Sequence, residues 1–230
     1  MMDRNETKSF IATRAAMELR DGDVVNLGIG IPTRVAGHIP EGVHVTLHAE
    51  NGIVGVGPRP VPAEERPYYT VDAGGVPAKA VKGGCYIDSL TSFALARGGH
   101  LDITILGTLE VDEKGSIANW IIPGVKVPGM GGAMDLLAGA KRVIIAMTHT
   151  THSGGIKIRK RCTLPLTAVG VAQRIITEMA VIDITPKGLV LVEHNPDYTV
   201  EQIQAVTEPK LHISPDLKPM EMPWVESKGI

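Results

Sequence analysis

Short apolar runs that alternate with helix-spaced stripes along the chain predict an α/β fold, an open, mainly parallel sheet with helices on both faces. Three observations carry that expectation. Lys141–Met147 (KRVIIAM) is nearly all apolar, as a strand buried on both faces must be. Val24–Leu27 and Leu101–Leu106 are further apolar runs of strand length. Between such runs lie segments with helical spacing, as in Thr7–Arg20, where Phe10, Ile11, Ala15 and Leu19 make one stripe. No repeat and no break in composition divides the 230 residues. A single domain over 1–230 is expected, with an irregular C-terminal tail from about 214.

The elements follow in order. After the Thr7–Arg20 helix, Asp21-Gly22-Asp23 turns the chain into the Val24–Leu27 strand. Gly28-Ile29-Gly30 leads into a helix with Pro32 in its first turn, running through Val35 and ended by Ile39-Pro40-Glu41-Gly42. Val43–Ala49 (VHVTLHA) alternates, with Val43, Val45, Leu47 and Ala49 on one face, and reads as a strand. The four prolines of Pro58–Pro67 make that stretch a surface loop. Asp88–Ala96 is helical until Arg97-Gly98-Gly99-His100 breaks it. The Leu101–Leu106 strand, the Pro123–Gly132 loop, an Ala133–Ala140 helix and the Lys141–Met147 strand come next. Val169–Met179 reads as a helix, Val181-Ile182 and Leu189–Val192 as short strands, and Thr199–Val206 as a helix. Beyond Ser214 there are three prolines and no periodicity.

Composition narrows the function. With 43% hydrophobic and 21% charged residues the chain can build a core. A net charge of −2, no dominant basic run and 3% aromatics argue against nucleic acid as partner. Cys85 and Cys162 have no metal-ligand spacing and fit a reducing compartment. The start, MMDRNETKSF, has acids and no apolar stretch of a signal peptide. No run approaches the ~18 apolar residues that span a bilayer. A cytoplasmic protein that neither enters a membrane nor binds a metal is expected.

The chemistry gathers at Glu50-Asn51-Gly52, where the VHVTLHA strand meets a turn rich in glycine. A glutamate at the carboxyl end of a strand, beside groups that donate hydrogen bonds, is placed to act as a nucleophile. The plain alternative is a solvated acid before an N-G turn. Gly28-x-Gly30 between strand and helix also fits a dinucleotide-binding loop, with Glu50 at the spacing of a ribose-binding acid. Thr33, however, stands where that fingerprint has its third glycine. Gly28 and Gly30 serve equally as a tight turn or as amides facing a ligand oxygen. Gly129-Met130-Gly131-Gly132 opens the Ala133–Ala140 helix, as an oxyanion-binding start or simply a flexible turn. His149 and His152 lack further ligands at metal spacing and read as a polar loop. Ile156–Arg161, with four cations, reads as a charged edge strand or a site for a phosphorylated ligand. Arg97 could pair with a substrate carboxylate or cap its helix.

Seven motifs in order resemble the B subunit of the family I 3-oxoacid coenzyme A-transferases. They are NLGIGIPT (Asn26–Thr33), ENGIVGVGP (Glu50–Pro58), RGGHLD (Arg97–Asp102), ANWIIPG (Ala118–Gly124), GMGGAMDL (Gly129–Leu136), CTLPLT (Cys162–Thr167) and RIITEMAV (Arg174–Val181). The resemblance runs from about Ile11 to Met220 and implies a ping-pong reaction with coenzyme A thioester as substrate and no dissociable cofactor. Glu50 would be the catalytic nucleophile, acylated first and then converted to a glutamyl-CoA thioester. Gly131 N–H and the Asn51 side chain would serve the oxyanions, with Gly28 and Gly30 shaping the wall behind Glu50. It further implies acyl-CoA and carboxylate substrates of the acetoacetate, butyrate or 3-oxoadipate kind, and a partner A subunit in an A2B2 heterotetramer. The sequence departs from the pattern at His48-Ala49, where many relatives carry glutamine or serine, and at Thr148-His149, often Glu-His. The stretch from Met222 runs beyond the usual end. A dinucleotide-dependent oxidoreductase and a non-catalytic binding subunit of the same fold remain as rival readings.

Overall fold

The computed structural model describes residues 2–58 and 70–220. All but Pro58 of the expected proline-rich loop, and the chain beyond Met220, fall outside the described residues. Helix α1 (Arg4–Ala16) starts three residues before the expected Thr7. Asp3 caps it, accepting from the Asn5 and Glu6 N–H groups, while Glu6 accepts from the Asp3 N–H at 2.7 Å. This reciprocal capping box satisfies donors that the first turn would otherwise leave bare. Next come β1 (Val24–Leu27), α2 (Ile31–Arg34) with a 3-10 turn over Val35–His38, β2 (Thr46–Ala49), β3 (Ile53–Val56) and β4 (Ala80–Tyr86). Then follow α3 (Ser89–Arg97), β5 (Ile103–Leu106), β6 (Glu110–Asp112), β7 (Ile117–Ala118), α4 (Ala133–Gly139) and β8 (Arg142–Ala146). The last elements are β9 (Ile158–Arg159), β10 (Arg174–Ile176), β11 (Ala180–Thr185), β12 (Gly188–His194), α5 (Val200–Ala205) and β13 (Leu211–Pro219).

Ten strands form one open sheet in the order β13-β12-β11-β10-β8-β5-β1-β2-β3-β4. Its centre, β10-β8-β5-β1-β2, is parallel throughout. Antiparallel β3 and β4 flank one side and β11 and β12 the other, with β13 parallel to β12 at the edge. A small sheet, β7-β6-β9, is hydrogen-bonded separately but buries Val111, Ile117 and Ile158 in the same core as Val143 and Ile145 of β8. Helices cover both faces, and the alternation along β8 shows why. Val143 and Ile145 join the cluster containing Leu137 of α4, whereas Ile144 and Ala146 join Ile11 and Ala15 of α1. Each large aliphatic side chain so buried contributes about 1.5–3 kcal/mol. The mainly parallel sheet expected from the sequence is thus found. Among the described residues no helix is long and apolar enough to cross a membrane.

Two expectations fail. Val169–Met179 is not a helix; its ordered part is strand β10, parallel to β8 and antiparallel to β11. Ile175 and Ile176 are each 0% exposed but enter opposite cores, which only a strand inserted in the sheet allows. The tail is not irregular from 214, since β13 runs to Pro219. Its prolines are tolerated because β13 is an edge strand whose register with β12 breaks between the Leu191–Ile213 and Glu193–Lys218 pairs, bracketing Pro215. Strand β2 also begins only at Thr46, because Val43 and His44 are held in the preceding turn by Pro40 O and the Asp21 carboxylate.

Candidate active site

The parallel register sets three polar side chains in one row. Asn26 of β1 lies beside His48 of β2 on one side and Thr104 of β5 on the other. Asn26 interrupts the apolar run Val-Val-Asn-Leu and is 1% exposed, so its amide must find partners. Its Nδ2 donates at 3.1 Å to the His48 carbonyl and at 3.1 Å to Glu50 Oε2. Its Oδ1 accepts a long bond, 3.4 Å, from the Thr104 hydroxyl. Glu50 stands two residues beyond His48, hence on the same face, just past the carboxyl end of β2. In open parallel sheets that edge is where ligands bind.

His48 is 4% exposed. Its Nε2 lies 2.8 Å from the Ser92 hydroxyl of α3, while Nδ1 has no partner. Burial pushes its pKa down, so the imidazole is neutral at pH 7. The row beneath Glu50 therefore carries no charge.

Helix α4 closes the other side. A Cβ built on Gly132 would lie 3.1 Å from Glu50 Cγ and 2.7 and 2.9 Å from the Phe93 ring, so only glycine fits between them. Gly131 adopts φ +53°, the left-handed region, immediately before. Among the described residues, neither the Gly131 nor the Gly132 N–H donates a hydrogen bond. Such N–H groups suit a developing oxyanion.

The remaining candidates are placed as follows. Asn51 is exposed and its Nδ2 donates to the Val71 carbonyl at 2.8 Å, so in this conformation it braces the neighbouring segment. Gly28 closes the end of β1: its N–H donates to Ile105 O at 2.9 Å, and a Cβ would stand 2.7 Å from Leu106 Cδ2. The amide a pyrophosphate would need at Gly28 is thereby engaged by the sheet. Gly30, at φ +97° and ψ −120°, turns the chain into α2. His149 is 0% exposed, held between the Thr177 and Thr207 hydroxyls at 2.9 Å each, and burial pushes its pKa to about 4. It is a core group, not part of the polar loop expected from the sequence. No group of three potential metal ligands occurs among the described residues. Arg97 pairs with Asp135 of α4 at 2.8 Å and lies over the Phe93 ring at 5.9 Å. The Ile156–Arg161 run supplies edge strand β9, with Arg159 bonded to Glu110 at 3.2 Å.

Sequence reasoning missed Asn26 as the partner of Glu50, together with Phe93 and the His48–Ser92 pair. The one available signal was a polar residue within a strand otherwise apolar. Two depressions, of about 290 Å³ beside Arg142 and Arg174 and about 650 Å³ beside Lys114 and Lys187, lie elsewhere. Arg142 and Arg174 open β8 and β10, so these hollows are at the amino edge, opposite Glu50.

Residues 8–205 match the family model described as Coenzyme A transferase. The chain is 49% identical over 223 residues to the beta chain of the acetate CoA-transferase of Haemophilus influenzae, covering 97% of this chain and 98% of that one. It is 46% identical over 209 residues to the B chain of the probable succinyl-CoA:3-ketoacid coenzyme A transferase of Bacillus subtilis, covering 91% and 96% respectively. Among solved structures, the apoenzyme of an acyl-CoA transferase of Escherichia coli O157:H7 superposes with a TM-score of 0.78 at 25% identity. That alignment takes in 100% of this chain but only 47% of the longer one, so this chain spans less than half of that enzyme. With the match extending over most of its length, the chain belongs to the coenzyme A transferase family.

Proposed function

We propose that this chain is the catalytic-glutamate subunit of a CoA-transferase that moves CoA between a short acyl-CoA and a 3-oxo acid such as acetoacetate. The observation that carries the reading is the Glu50 carboxylate at the carboxyl edge of the sheet, held through one oxygen by the buried, neutral Asn26 amide. A neutral donor orients the carboxylate without cancelling its charge, and the second oxygen stays available for attack.

In the proposed cycle Glu50 attacks the thioester carbonyl of the acyl-CoA. The C–S bond breaks, leaving an acyl-glutamyl anhydride and CoA thiolate. The thiolate attacks the Glu50 carbonyl carbon, forms glutamyl-CoA thioester and releases the first carboxylate. The second carboxylate attacks that thioester, and the returning thiolate takes the new acyl group and restores Glu50. Each addition passes through an oxyanion, for which the Gly131 and Gly132 N–H groups at the start of α4 would be the donors. Loss of one such donor typically costs about 10²–10³ in rate. The anhydride must also be kept from water.

A second chain is part of this reading. The relatives are named as beta or B subunits, and the Escherichia coli chain is more than twice as long as the part matched here. A partner A subunit, in an A2B2 assembly, would cover the open carboxyl edge. The relatives' names also support acetate and 3-keto acids as acceptors and succinyl-CoA as a donor, and a solved relative is described as a thioester complex with CoA.

The test is chemical trapping. Both subunits are mixed with acyl-CoA, reduced with borohydride, and the modified peptide is located by mass. The expected mark is on Glu50. A mark elsewhere, or none despite turnover, removes the proposal, as does a Glu50→Ala complex with unchanged activity, which would indicate a non-catalytic subunit.

A further inference from the structure

The geometry points to Phe93 as the residue that limits the size of the acyl group accepted at Glu50. This rests on the reading of Glu50 as the nucleophile and goes beyond it to substrate selection. Phe93 and Glu50 converge on one point, since a Cβ at Gly132 would stand within 2.9 Å of the ring and 3.1 Å of Glu50 Cγ. An acyl carbon bonded to a Glu50 oxygen is three bonds from Cγ. With about 1.5 Å per C–C bond, a chain turning toward α3 reaches the ring after two or three carbons.

A wall selects only if it cannot swing aside, and α3 is held on both sides of Phe93. At the start of the helix, Asp88 caps it by accepting from the Thr91 N–H at 2.7 Å. The preceding residue, Ser92, is 0% exposed and bonded to His48 Nε2 at 2.8 Å, which ties α3 to the strand that bears Glu50. One turn further on, the Arg97 guanidinium lies 5.9 Å from the ring centroid and is itself anchored to Asp135 of α4. The helix that bears the ring is thus tied to β2 by one bond and to α4 by an ion pair. An acyl group longer than acetyl that turns toward α3 therefore presses on a ring whose helix is held at two points.

The experiment uses the complex with its partner subunit and compares kcat/KM for acetyl-CoA, butyryl-CoA and hexanoyl-CoA. An apolar pocket discriminates about 10–200-fold per methylene. Phe93→Ala is therefore expected to lower the acetyl-to-hexanoyl ratio by at least about tenfold, mainly through a gain with hexanoyl-CoA. Phe93→Leu should shift the ratio in the same direction by less, and Phe93→Trp should raise it. If Phe93→Ala does not assemble, the Leu and Trp variants decide. Ratios that stay within about twofold of wild type while all three substrates slow equally would make Phe93 a packing residue and overturn the proposal. Trapping on wild-type protein separates the two levels. A Glu50 adduct with flat ratios removes only the role of Phe93, whereas no adduct removes the nucleophile on which it rests.

Discussion

Two glutamates, Glu50 and Glu18, sit at opposite edges of the same parallel sheet and meet opposite company. Glu18, just past α1, is 8% exposed and bonded to three arginines: Arg14 at 2.8 Å, Arg142 at 2.7 Å and Arg174 at 2.6 Å. Arg14 also forks onto Glu193 at 2.7 and 2.9 Å, and Arg174 onto Asp183 at 2.6 and 2.9 Å. Burial pushes the Glu18 carboxyl up, but Arg174 and Arg14 outweigh it and hold it below its usual value. Such a carboxylate is a structural bolt, with its charge pinned and both oxygens occupied. Glu50 has one neutral donor and an uncharged row beneath it. The contrast sets a carboxylate locked by arginines at the amino edge against one that keeps a single neutral donor at the carboxyl edge.

The sharpest way to break the contrast is to neutralise each glutamate's role in turn. Glu50→Gln is nearly isosteric, so thermal stability should hold while transferase turnover falls on the order of 10⁴-fold or more. Turnover and melting temperature measured on the same assembled complex check this; residual activity above a hundredth of wild type would refute it. Arg14→Met should leave activity per folded molecule intact and cost about 3–5 kcal/mol, because it takes the bidentate partner from the buried Glu193 carboxylate. Denaturant unfolding reads that out. The pH dependence has a definite sign. Glu18 and Glu193 are both lowered in the fold, burial opposing and the arginines prevailing. Their stabilisation is complete above the unfolded value of about 4.3 and is lost as pH falls through the folded values. Below about pH 4.3 wild type should therefore lose stability more steeply than Arg14→Met.

The two edges were unequally legible in the sequence. The edge that carries Glu50 was legible locally, because Glu50 directly follows an alternating strand and β8 is a run of five residues with a single non-apolar member, Arg142. The locking edge was invisible, since Glu18 meets Arg142 and Arg174 across 124 and 156 residues and no periodicity couples them. Asn26 was hidden in the same way: 24 residues from Glu50 in sequence, it meets it only through the register of β1 on β2. Strand β10 was misread because three residues are too few to show a period of two, and the flanking Val171, Ala172 and Met179 mimic a helical stripe. In β13, prolines that would exclude a central strand are harmless at an edge.

Asn26→Asp sharpens the contrast by importing charge into the neutral row. It keeps the shape but replaces the donor with a carboxylate 3.1 Å from Glu50 Oε2. Two such carboxyls resist ionising together and titrate as a pair. Activity at neutral pH is expected to fall about 10²–10³-fold, the usual cost of a lost preorganised donor. The ratio of variant to wild-type activity should then rise as pH falls and the pair takes up a proton that the introduced carboxyl can donate. A pH–rate profile parallel to wild type would show that Asn26 does not act through Glu50.

The smallest effect concerns a third kind of polar group, one buried without either charge or chemistry. His149 is faced by the Thr177 and Thr207 hydroxyls, its backbone N–H donates to Glu178, and Lys157 lies close enough to lower its pKa further after burial. Its folded value of about 4 lies below the ordinary histidine value of 6.5, so the unfolded chain binds the proton first. The stability it contributes is present above the unfolded value and is lost as pH falls toward 4. Between pH 7 and 5.5 the loss from this residue is about 1 kcal/mol. His38 and His48, also lowered chiefly by burial, act in the same direction. His149→Gln should be less stable than wild type at pH 7, since it forfeits one hydroxyl bond, yet flatter between pH 7 and 5.5. Melting curves at the two pH values decide the matter: an equal drop in both proteins would mean that His149 takes up its proton without opening the fold.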